Sequence, residues 1–225
     1  MESLVEPYKN RQEAGRALAR SLAGYEGTDA LVLAIPRGGV LVAYEVAVRL
    51  GLDMDVIVPR KIGAPGQPEL AIGAVVGWGN QQGIIDEQAV RCLGVTEDYL
   101  EREIADQLAE ADRRLLAYRH KSEPPDVAGR SVIVIDDGIA TGCTIRAGAA
   151  ALRSLHAGRI SLAVPVAPSD ALPALGSCFD EIVCLKTPYP FTAVGYWYRD
   201  FEQVSDAEVI ALLEKARQRN LEKED

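Results

Sequence analysis

Two adjacent carboxylates, Asp136 and Asp137, close the apolar run Val132-Ile133-Val134-Ile135 and lead straight into Gly138-Ile139-Ala140-Thr141-Gly142-Cys143-Thr144. This spacing combines two chemistries. Small residues opening a helix present unpaired backbone amides and positive partial charge, which collect phosphate. Gly138 and Gly142 allow close approach of the backbone, and the Thr141 and Thr144 hydroxyls add donors. The acid pair would repel a phosphate but accepts hydrogen bonds from vicinal hydroxyls. A diol beside a monophosphate satisfies both halves, which describes a ribose 5-phosphate. The competing readings are an ordinary solvated strand-to-helix turn and a phosphate-accepting receiver domain. A receiver needs its acid pair near the chain start and an Asp closing a following strand; here the next strand ends in Val164-Pro165-Val166. The chain has no G-x-x-x-x-G-K-[ST] and no G-x-G-x-x-G, so triphosphatase and dinucleotide chemistries lack their motifs.

A second segment has the same form. Leu31–Ile35 is an apolar run, and Pro36-Arg37-Gly38-Gly39 follows it. Gly38 and Gly39 would expose amides, and Arg37 offers a fork of donors to phosphate oxygens. Arg60-Lys61 ends a further apolar run. Lys61 is a candidate cation for a departing anionic group, with a solvated strand end as the alternative. Glu69 lies nearby with no assigned role. The segment from Gly63 to about Asn80 is a candidate lid.

The elements needed to hold these groups follow from periodicity. Asn10 caps a first helix, with Glu13 three residues on as in a capping box. Leu31–Ile35 reads as a strand, Val40–Leu50 as a helix ended by Gly51, and Asp55–Arg60 as a strand. A Gly- and Pro-rich loop is expected from Lys61 to Gln67, then strands at Leu70–Val76 and Gly83–Asp86. Thr96 opens a helix whose stripe, Leu100, Ile104, Leu108, Ala111, Leu115 and Tyr118, packs on a sheet or a partner subunit. Strands at Ser131–Asp136, Arg159–Val164 and Glu181–Leu185 alternate with helices at Cys143–His156 and Ser169–Leu175. Ser205-Asp206-Ala207-Glu208 is a capping box for a terminal helix. Alternation of this kind predicts an α/β fold, a mainly parallel twisted sheet flanked by helices.

Thirteen consecutive residues, Val132 to Thr144, resemble the phosphoribosyl pyrophosphate signature of the type I phosphoribosyltransferases. Pro36–Gly39 is similar to that family's pyrophosphate loop. One departure is Gly138, where the family more often carries an aliphatic residue. The resemblance implies that Asp136 and Asp137 hold the ribose hydroxyls. It implies that Gly138, Ile139, Ala140, Thr141, Gly142, Cys143 and Thr144 cradle the 5-phosphate. Arg37, Gly38, Gly39 and Lys61 would serve the pyrophosphate. The family fold would cover roughly residues 10 to 205 of a single domain spanning 1–225, with a helical insertion at 83–123 and a small C-terminal hood at 186–204. The implied reaction moves a 5-phosphoribosyl group from its diphosphate to an acceptor, a nucleobase by family habit, and releases pyrophosphate. Magnesium (Mg2+) is implied as cofactor, reaching the site through the diphosphate and waters rather than direct protein ligands. The alternatives are a non-catalytic regulator that binds the same diphosphate or a nucleotide, and a phosphatase or lyase acting on a ribose phosphate. A homodimer is expected by analogy with the family.

Ala140 stands where 6-oxopurine members of the family carry an acid, which argues against hypoxanthine or guanine as acceptor. Six of the aromatic residues, Tyr189, Phe191, Tyr196, Trp197, Tyr198 and Phe201, crowd near the C-terminus. They either stack a flat base or seal one end of the core. Tyr196 and Trp197 are the preferred stacking pair. His156, before Gly158, reads as a helix-end residue. Cys143 begins a helix, which can lower a thiol pKa, but its place in the loop is read through its amide.

The remaining composition restricts partners. The formal charge is −9 and the pI near 4.9, so nucleic-acid binding is not expected. The four cysteines show no C-x-x-C spacing, which argues against a zinc site or a disulfide framework. No apolar run approaches the length of a membrane span, and the first residues do not read as a secretory signal. The expected location is cytoplasmic, with reduced thiols.

Overall fold

The computed structural model describes residues 6–78, 82–120 and 123–224. In chain order the elements are α1 (Arg11–Ser21), β1 (Leu31–Ala34), α2 (Gly38–Leu50), β2 (Asp53–Val56), β3 (Pro59–Ala64), β4 (Gln67–Val76) and β5 (Gln82–Ile85). They continue with α3 (Glu87–Cys92), α4 (Glu97–Arg119), β6 (Ser131–Ile135), α5 (Cys143–Ser154), β7 (Arg159–Val166), α6 (Ala171–Leu175), β8 (Glu181–Lys186) and α7 (Asp206–Glu224). Five strands make a wholly parallel sheet in the order β2-β1-β6-β7-β8. The expected α/β class is therefore what forms. All four β1 residues are buried, as a parallel sheet covered on both faces requires.

The strand order places the site. From β1 the chain crosses through α2 to β2 on one side; from β6 it crosses through α5 to β7 on the other. Right-handed crossovers running in opposite directions put α2 and α5 on opposite faces. The crevice beyond the carboxyl ends of β1 and β6 is then the topological switch point, where open α/β sheets bind ligands.

Two expectations need correction. Asp55–Arg60 is not one strand. Ile57 still donates to Ala34 (3.0 Å), but Pro59 has no amide to continue the ladder, and the chain leaves the parallel sheet there. The stretch Lys61–Gln67 is not a loop either. It is most of β3, with Ile62 and Ala64 buried, and a Pro65-Gly66 turn into β4. Gly66 has φ +71°, a conformation glycine adopts without strain. β3, β4 and β5 form a separate antiparallel sheet. The candidate lid is thus largely this sheet, and its last positions, Gly79 and Asn80, lie outside the described residues.

The α4 stripe divides between two cores. Leu100, Ile104 and Leu108 pack on the small sheet against Ile62, Ala64, Ile72 and Val75. Ala111, Leu115 and Tyr118 join the main core. Leu115 is fully buried. Truncating it to Ala is expected to cost about 3 kcal/mol through lost burial and the cavity left behind. Urea unfolding checks this; a loss below about 1 kcal/mol would mean the α4 seam is not part of the core.

The caps form as read, with one change. Asn10 Oδ1 accepts from the Glu13 amide (3.0 Å), but the Glu13 carboxylate accepts from Lys9 rather than from Asn10. Thr96 accepts from Tyr99, and Ser205 with Glu208 closes a reciprocal box. No helix among the described residues is long and apolar enough to cross a membrane.

Candidate active site

The turns after β1 and β6 lie in direct contact because their strands are neighbours. A Cβ built on Gly38 would meet Asp137 Oδ2 at 1.9 Å; one on Gly39 would meet Asp136 Cα at 2.9 Å. The two glycines are thus demanded by the acid pair that packs over them. This reason differs from the amide exposure expected from the sequence.

Asp137 is gripped from three sides. Arg11 Nε, at the start of α1, donates to Asp137 Oδ2 at 2.8 Å. The Tyr198 hydroxyl donates to the Asp137 main-chain carbonyl. The Asp137 amide donates to Asp136 Oδ1 (2.8 Å), which folds the pair on itself. Burial pushes both carboxyls upward. The charge of Asp137 raises Asp136 further, so Asp136 stands well above the usual carboxylate range. Arg11 partly offsets the effect of burial on Asp137. Two half-buried acids with one guanidinium form a coupled pair that retains a proton more readily than free carboxylates do.

The loop after the pair resolves into parts with different duties. Gly138 is buried, and a Cβ there would strike Val194 Cγ1 at 2.6 Å and Val166 Cγ1 at 3.0 Å. Val194 thus fills the space an aliphatic residue would occupy at this position, which accounts for the glycine. Ile139 is buried and its amide donates to Val166 (3.0 Å), so that amide is committed to the fold. Gly142 has φ +75° and opens α5. Among the described residues, the amides of Cys143, Thr144 and Ile145 at the helix start have no acceptor. Cys143 and Thr144, with Ala140 and Thr141, line one side of a cleft of about 500 Å³ whose other side is Lys61, Leu70 and Gly73 of the small sheet. Asp86 and Arg146 also line it. Burial raises the Cys143 thiol, and its sulfur lies 3.6 Å from the Gly73 carbonyl oxygen, so the helix start does not make it a thiolate.

The remaining candidates fall in two places. Arg37 lies apart from Lys61, in a groove of about 340 Å³ with Arg11, Gly38 and Phe201; its guanidinium reaches Asp206 at 3.8 Å. A second cleft of about 460 Å³ touches the other flank of Ala140 and Thr141 and includes Ser169, Asp170, Tyr189 and Phe191. The rings on this cleft are Tyr189 and Phe191. Tyr196 is 70% exposed and lines neither cleft; Trp197 stacks on Phe191 with ring centroids 6.4 Å apart. His156 closes α5 with φ +59° and accepts from the Gly129 amide, a helix-end role.

Sequence reasoning missed Arg11, Asp86 and Arg146 as members of the site, and read Tyr198 as one ring of the aromatic cluster rather than as a partner of Asp137. Arg11 lies 126 residues from its partner, and no local pattern announces it. Arg146, one turn into α5, was legible from its spacing to Gly142.

Comparison with known proteins shows the family of the chain. The family model for the phosphoribosyl transferase domain matches residues 5–188. Two strains of Mycobacterium tuberculosis carry a protein named "Putative phosphoribosyl transferase" that is 41% identical over 209 residues. The match covers 93% of this chain and 47% of theirs, so the chain spans about half the length of those relatives. The crystal structure of TT1426 from Thermus thermophilus is 40% identical with a TM-score of 0.79, covering 93% of this chain and 98% of that one. By sequence, this chain belongs to the phosphoribosyl transferase domain family.

Proposed function

We propose that the chain transfers a 5-phosphoribosyl group from phosphoribosyl pyrophosphate to an acceptor nitrogen, releasing pyrophosphate. The observation that carries this reading is the meeting of an acid pair and an unpaired helix N-terminus at one switch point, with Lys61 across the cleft. Asp136 and Asp137 accept from the ribose hydroxyls. The free amides of α5 and the Thr141 and Thr144 hydroxyls take the 5-phosphate. As the bond at C1 breaks, positive charge grows on the sugar and negative charge on the leaving diphosphate. The carboxylates anchor the ring beneath the first, and Lys61 meets the second. Arg37 joins the diphosphate once it exchanges Asp206 for phosphate oxygens.

Among the described residues, no group of three His, Cys, Asp or Glu side chains could hold a metal ion. Magnesium would arrive on the diphosphate as part of the substrate, where it would offset leaving-group charge. The cleft beside Tyr189 and Phe191 is the place for the acceptor, a flat ring that stacks on aromatic faces. Ala140, on its border, supplies no acid, which disfavours the 6-oxopurines. The four free cysteines suit a reducing, cytoplasmic setting.

A panel of nucleobases offered with phosphoribosyl pyrophosphate and magnesium tests this reading. Pyrophosphate release dependent on one base supports it; free phosphate release, or none with any base, counts against it. Lys61→Ala is expected to slow turnover about 100-fold, as loss of one preorganised donor does, with little change in diphosphate affinity. Unchanged turnover in a pyrophosphate-release assay would remove Lys61 from the mechanism.

A further inference from the structure

Arg11 is 7% exposed, yet it belongs to the first turn of α1, far in sequence from everything it touches. Its Nε holds Asp137, its Nη1 donates to the Glu202 carbonyl (2.9 Å), and its guanidinium lies 3.8 Å from the Phe201 ring centroid. Gly38 leaves room for it: a Cβ there would come within 2.9 Å of Nε. Among the described residues it is the only ion-pair partner of Asp137. A charge so fully enclosed and so fixed in direction is costly unless its partner is also charged. The other titratable groups around the pair are Tyr198 and, against it, Tyr8 with ring centroids 5.8 Å apart. Burial raises both phenols, Tyr8 to about 12, so both stay neutral through the working range. Arg37 shares the groove of Arg11 and Gly38 but reaches Asp206, so Arg11 is the cation in contact with the acid pair.

We propose that Arg11 is a positioning residue of the sugar site: clamped between the acid pair and the C-terminal segment, it holds Asp137 charged and aimed at the ribose hydroxyls. The sugar half of this inference rests on the function proposed above; the pairing half does not. With Arg11 in place, its charge lowers Asp137 by direct contact, and Asp136 is left with burial and the neighbouring acid to raise it. Without it, both carboxyls face each other in a half-buried crevice, and the lower of the pair's two titration steps moves up.

The test uses Arg11→Met and Arg11→Lys, each checked for folding by circular dichroism. Carboxyl carbon NMR on the ligand-free chains follows the Asp136 and Asp137 titrations. The lower step is expected to rise by about one pH unit or more in Arg11→Met and to stay near wild type in Arg11→Lys. Calorimetry then follows phosphoribosyl pyrophosphate binding across pH. Arg11→Met should bind about tenfold more weakly near pH 7 and recover as pH rises, with Arg11→Lys close to wild type. An unmoved carboxyl titration overturns the proposal. So does a binding loss in Arg11→Met that is equal at every pH, which marks a structural contact only. If wild type binds no phosphoribosyl pyrophosphate while the titration still shifts, the function proposed above fails and the pairing stands.

Discussion

Gly38→Ala is expected to abolish detectable phosphoribosyl pyrophosphate binding and to lower stability by about 3 kcal/mol. The added methyl would lie 1.9 Å from Asp137 Oδ2 and 2.7 Å from its Cγ, distances no pair of atoms tolerates. The group it strikes is the end of a side chain, so the carboxylate would swing away rather than the sheet break. That movement separates it from Arg11, leaving a nearly enclosed guanidinium without its counter-charge. One methyl group thus removes an ion pair and a proposed sugar anchor together. Gly24→Ala is the control, because nothing lies within 4 Å of its Cβ. It should leave stability within about 0.5 kcal/mol and binding unchanged. Thermal melts and calorimetry on the two variants check both statements. Normal affinity in Gly38→Ala would show that the acid pair does not need its present geometry.

Asp136→Asn is expected to lose binding by about 100-fold while raising stability at neutral pH. The amide oxygen can still accept from the Asp137 amide, so the local fold is kept. The other side-chain oxygen becomes an NH2 group, which donates only, so the ribose hydroxyl loses its acceptor there. The stability effect has the opposite sign. Asp136 has a folded pKa raised above its unfolded value by burial and by Asp137. For such a group, the folded state binds the proton more tightly, so its contribution is complete below the unfolded pKa and is lost as pH rises through the folded one. Wild type therefore gives up stability with rising pH that Asn does not. The variant should match wild type at acid pH and be the more stable of the two at and above neutrality. Melting temperature against pH checks this. A variant less stable than wild type at pH 8 would contradict the burial of an uncompensated charge.

The parallel sheet was legible because its strands are short continuous aliphatic runs, such as Leu31–Ala34 and Val132–Ile135, each followed by helix-opening residues. The two strand-end turns were legible for the same reason. Their contact was not: it depends on β1 and β6 being neighbours, and strand order is a tertiary property. Gly38 and Gly39 looked like amide donors for an anion; that aspartates fill the space their missing side chains leave was not legible. The run Lys61–Gln67 looked like a loop because Pro and Gly are dense in it. A hairpin uses those residues at its turn while Ile62 and Ala64 are buried in a core that α3 and α4 complete. Arg11 was invisible, since a single arginine at the start of a helix carries no local mark of its partner.

The most direct measurement is calorimetric titration of wild-type chain with the magnesium complex of phosphoribosyl pyrophosphate, repeated in the presence of ribose 5-phosphate. One saturable site per chain, weakened competitively by ribose 5-phosphate, is the predicted result. Absence of saturable heat, or binding indifferent to ribose 5-phosphate, would contradict a sugar phosphate seated between the two aspartates and the start of α5.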